Sequence, residues 1–151
     1  MTTKNIATDW TQLLCEYFRE ICVGIIGNYF LQFCFSWKET SIGGVMFFRE
    51  DIFVELSYMP ETYPTYSLTI IVGIGSDKYG ANGTTNGVPL WYLIPQDVPE
   101  RKYSTWQFSN KAELAIVMER IQVEILDAYV MPLLKDKSKL IALIKDFSKR
   151  A

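Results

Sequence analysis

The chain has 151 residues, 49% hydrophobic and 21% charged, a composition that suits one packed domain over residues 1–151 and argues against disorder. Fifteen Lys and Arg stand against seventeen Asp and Glu, a net charge of -2, which disfavours a globally basic nucleic-acid binder. Histidine is absent, which removes every mechanism that needs an imidazole base or ligand: Ser-His-Asp and Cys-His catalysis and most zinc sites.

The amino terminus has the single Lys4 and no apolar stretch before Glu16, Arg19 and Glu20, unlike a signal or transit peptide. Asp9 and Gln12 have the form of a capping box, and Leu14, Phe18, Ile21 and Ile25 recur at helical spacing. This predicts a helix from about Asp9 that ends between Gly27 and Phe33. The apolar run 21–35 is interrupted by Gly24, Gly27, Asn28 and Gln32 and is too short to span a membrane. Cys15, Cys22 and Cys34 are odd in number and sit among apolar neighbours, so buried, reduced thiols in a cytoplasmic protein are expected.

A short strand is predicted from about Phe35. Val45–Arg49 and Ile52–Met59 are rich in aromatic and β-branched residues and flank Glu50-Asp51, which reads as a hairpin turn. Ile52, Val54, Leu56 and Tyr58 share one face. Phe53, Glu55, Ser57 and Met59 make the other, mixed face, fit for solvent, a helix or a partner. Tyr66–Ile74 is nearly continuously apolar and reads as a central strand. Residues 76–88 hold Gly80, Asn82-Gly83 and Asn86-Gly87 and read as a long loop or irregular hairpin. Further strands are predicted at 90–94 and 105–108. Asn110 and Glu113 repeat the capping-box form before a long helix with Leu114, Met118, Ile121, Ile125 and Tyr129 on one face, ended or kinked by Pro132. Asp136 caps a last helix whose stripe is Leu140, Leu143, Ile144 and Phe147. The fold class is α+β: an amino-terminal helix, an antiparallel sheet of four to six strands, and two carboxy-terminal helices packed on one face.

Chemical motifs are few. Gly75 and Gly80 have P-loop spacing, but Ala81 and Asn82 stand where the lysine and hydroxyl belong, and a dinucleotide fingerprint lacks its third glycine. Glu55, Glu61 and Asp77 are the acids available for carboxylate chemistry, yet chain spacing brings no two of them together. Neither a metal nor a cofactor is expected, and the chain is not expected to be an enzyme. Charge is distributed unevenly. Residues 39–100 hold two cations and eight anions, -6, whereas residues 101–151 hold ten cations and six anions, +4. An acidic, aromatic middle of this kind suits a basic protein partner, and it also serves to keep an exposed sheet soluble. The candidate contact residues are Glu50, Asp51, Glu55, Glu61, Asp77 and Tyr79.

The run Val45-Met46-Phe47-Phe48-Arg49, the segment from Val54 to Glu61 with Pro64 and Tyr66 after it, and the closing Tyr129-Val130-Met131-Pro132-Leu133-Leu134 resemble small bacterial domains, among them immunity proteins found beside polymorphic toxins. The resemblance implies a cytoplasmic α+β protein that neutralises a toxin domain by binding it; from the charge balance and the short apolar runs, neither nucleic acid nor membrane is expected as partner. The alternative is a small-molecule-binding or minor hydrolytic domain with Glu55 and Asp77 near an aromatic pocket.

Overall fold

A computed structural model describes residues 4–40, 43–59, 64–75, 86–94 and 106–150. Helix α1 spans Lys4–Ile25 and starts five residues before Asp9, which is therefore inside the helix and not its cap. The four-residue spacing of Ile6, Trp10 and Leu14 already continues the helical repeat past that acid. Helix α2, Gly27–Leu31, follows, with Tyr29 and Phe30 turned inward. The chain leaves it through Cys34, whose φ of 66° is unusual for a side chain other than Gly, Asn or Asp.

Strands β1 (Ser36–Glu39), β2 (Val45–Arg49), β3 (Ile52–Met59), β4 (Tyr66–Ile74) and β5 (Gly87–Pro89) form an antiparallel meander in that order. Strand β6, Gln107–Phe108, pairs with β4 at Tyr66 and Ser67, beyond the Ile71–Gly73 stretch of β4 that β5 takes. Cross-strand register sets two faces. Phe47, Val54, Val72 and Val88 align across one, and Met46, Glu55, Ile71 and Pro89 across the other.

The first face backs onto the helices. Ile52, Val54, Leu56 and Tyr58 join Phe18, Phe30 and Leu114 in a continuous core, within which the Phe30 and Phe47 rings stack at 4.5 Å. On the second face Met46, Phe53, Glu55 and Ser57 are also buried but lie outside that core. This face, left open between solvent, helix and partner by the sequence, is thus largely closed. Phe53 stands opposite Gly73, where an added Cβ would collide with the phenyl ring, so the glycine is the seat for the aromatic.

Residues 90–94 correct the sequence expectation. After Pro89 in extended conformation they turn into helix α3, Leu90–Leu93, instead of a strand. Leu90 and Ile94 are both buried, four residues apart, and a short apolar run has the same composition in either state. Helix α4, Lys111–Arg120, starts as expected: Asn110 Oδ1 accepts the Glu113 amide at 2.9 Å, and Glu113 Oε1 accepts the Ser109 amide at 2.7 Å. The helix then widens into a π-helical segment, Ile121–Val130, before α5, Met131–Leu134. Within it Ile121, Ile125, Leu126 and Val130 face inward, and Tyr129, expected on the stripe, is only half-buried. Pro132 supplies the physical reason, since it has no N–H and its ring clashes with the carbonyl four residues back in an α ladder. Helix α6, Lys137–Arg150, has its Lys139 amide capped by Asp136, and Leu140 is fully buried.

Candidate interaction surface

Of the six residues proposed for partner contact, the structure describes three. Glu61, Asp77 and Tyr79 lie outside the described residues. Glu50 and Asp51 form the two-residue β2–β3 turn, with Glu50 exposed and at φ 56°. Asp51 is already engaged: its carboxylate accepts Lys137 at 2.6 Å, and its carbonyl accepts the Gly75 amide at 2.6 Å. The Lys137 ammonium holds that carboxyl below the ordinary carboxylate range. Glu55 is elsewhere, 3% exposed on the second sheet face beside Met46, and so is not the exposed strand acid that its alternating pattern suggested.

Charge within the chain is also paired across the acid-base divide. Arg19 of α1 bonds Glu39 of β1 at 2.5 Å, and that carboxylate keeps the guanidinium firmly protonated. Together with Lys137 and Asp51, this ties acids of the middle to cations from both flanks, on exposed groups where such pairs contribute little stability. Part of the charge asymmetry is thereby answered internally.

The sheet edge carries what sequence reading missed. All four residues of β1 are exposed, and among the described strands only β2 pairs with it. Trp37 is 44% exposed, and Leu31 at the end of α2 is 67% exposed. Basic side chains and rings border this edge: Lys38 lies 5.7 Å from the Phe48 centroid, and Arg49 lies 4.8 Å from that of Phe35 while donating to the Phe33 carbonyl at 2.8 Å. In the sequence this edge is marked only by the mixed polarity of Ser-Trp-Lys-Glu at residues 36–39.

A cleft of about 210 Å³ beside α1 is lined by Cys15, Glu16, Arg19, Glu39 and Gly43. Cys15 Sγ and the Tyr58 hydroxyl share a 2.9 Å hydrogen bond. Gly43 has φ 87°, and a Cβ there would stand 2.7 Å from the sulfur, so this close approach needs glycine. Burial, and then the Cys15 bond, raise the Tyr58 phenol, while burial and then Tyr66 push Tyr17 up to about 12. These phenols stay neutral at physiological pH. Cys22 is buried as expected and Cys34 is exposed, against expectation; all three thiols are free. Among the described residues no group of three acidic, Cys or His side chains is placed to hold a metal, and no helix is long and apolar enough to cross a membrane. No family model, curated protein or solved structure matches the chain.

Proposed function

We propose that the chain is a non-catalytic binding protein that docks a protein partner, in the manner of a toxin-neutralising immunity protein. The observation that carries this reading is the β1 edge, where Trp37 and Leu31 are exposed and, among the described strands, only β2 pairs with β1. Aromatic anchors of this kind contribute most at protein interfaces, and an open strand offers main-chain pairing as well. Glu50 at the neighbouring turn adds an exposed acid for steering a basic partner. The three free thiols suit a reducing bacterial cytoplasm.

Site-specific photo-crosslinking in the source cell tests the reading. A photoreactive residue at position 37 is expected to capture one defined protein, and the same residue at position 145 on α6 is expected not to. Equal capture from both positions, or none from position 37, rejects the β1 edge as the contact surface.

A further inference from the structure

The phase change in the long helix has a consequence on its outer side. Continuing the α repeat of Leu114, Met118, Ile121 and Ile125 would turn Ala128, Tyr129 and Pro132 toward the core. In the π-helical segment Leu126 and Val130 take those inward positions, and Ala128 and Pro132 are exposed. With Tyr129 they make one wall of a cavity of about 230 Å³, which Tyr92 of α3 and Leu143 and Lys139 of α6 complete. π-Helical departures are frequent at functional sites because they reposition side chains that a regular helix would bury.

Among the residues that line this cavity, Lys139 alone is charged. Lys139 lies in the first turn of α6, whose positive end adds to its own charge, and it forms no ion pair among the described residues. No carboxylate is among those lining residues, and the acids closest to them are held by hydrogen bonds: Asp136 accepts the Lys139 amide, Asp146 the hydroxyl of the lining Tyr92, and Asp127 the Tyr29 hydroxyl. Lys145 and Lys149 add further positive charge along the exposed side of α6. The remaining walls are hydrocarbon and phenol ring. An apolar cavity whose one charged lining side chain is an ammonium suits a ligand with an apolar body and one negative end.

We propose that this cavity binds a small amphipathic carboxylate, its hydrocarbon part between Tyr92, Tyr129 and Leu143 and its carboxylate at the Lys139 ammonium. The cavity falls below the roughly 300–1,000 Å³ of pockets that take drug-sized ligands, so a short chain or a single ring fits. The site is separate from the β1 edge and stands whether or not that edge docks a partner.

The test is calorimetric titration with octanoate, 1-octanol and octylamine, with amide shifts mapped by NMR. Octanoate should bind about tenfold tighter than octanol, the size of effect expected of one charge-assisted contact, and octylamine should not bind. Lys139→Gln should abolish the advantage of octanoate and leave octanol within about twofold of wild type. Ala128→Trp, at an exposed position, should block both. Shift changes should centre on residues 92, 129 and 143. No saturable binding, equal affinity for octanoate and octanol, a preference that survives Lys139→Gln, or shifts centred elsewhere would each overturn the proposal. Should Ala128→Trp fail to fold, the lysine variant and the shift map decide.

Discussion

The central strands and the long helical stretch behind them bury their apolar side chains under different rules. In β2, β3 and β4 the repeat is two residues by geometry, so one slip would exchange the faces of the whole sheet. Register is accordingly strict, running without a bulge from Ile52 opposite Ile74 to Met59 opposite Ser67. The stretch from Lys111 to Leu134 instead changes its own repeat, from α to π and back, and moves the inward positions by one residue. A strand must satisfy its neighbours along its length, whereas a helix can absorb a phase error locally, at the cost of weaker hydrogen-bond geometry.

That contrast is open to direct attack. The largest effect should come from the second sheet face, where Phe53→Ala is expected to cost about 3–5 kcal/mol by urea unfolding, as much as a helix-side core residue. A loss below 1 kcal/mol, on the order of an ordinary surface change, would mean that face is not closed. In the helix, Leu126→Ala should cost about 2–5 kcal/mol while Ala128→Gln stays within about 0.5 kcal/mol. An unbroken α-helix demands the reverse ranking, so this pair decides whether the phase change exists in solution. Next comes alkaline pH. Burial holds the phenols of Tyr17, Tyr29 and Tyr58 above their ordinary value of 10.0. The folded state therefore keeps protons that the unfolded chain releases, so stability is complete below pH 10 and falls as pH rises toward 12. Phenolate absorbance from these residues should appear together with loss of circular dichroism, and an earlier rise would place them in solvent. The smallest effect is at the hairpin: Glu50→Asn, better suited to positive φ, should raise stability by up to about 1 kcal/mol in thermal melts.

Where a periodic rule applied, the fold was legible before any coordinates. The β2, β3 and β4 limits and the Asn110 and Asp136 caps follow from local composition, because each depends on neighbours within four residues. Residues 90–94 and the π-helical segment do not, since a five-residue apolar run suits strand or helix alike and Pro132 announces a break without its form. The candidate surface was legible only in part. Acids could be counted in the sequence, but pairing Asp51 with Lys137 across 86 positions, burying Glu55 and leaving Trp37 exposed are all products of tertiary packing.

Cys34 supplies the protein with a built-in reporter. Its thiol is exposed, whereas Cys22 is buried and Cys15 is half-buried against the Tyr58 hydroxyl, so a maleimide dye should attach first at position 34 without any engineered cysteine. That attachment point lies two residues before β1 in the chain. A fluorophore there would sense solvent leaving the strand edge as a binding event proceeds, giving association rates in real time from the unaltered polypeptide.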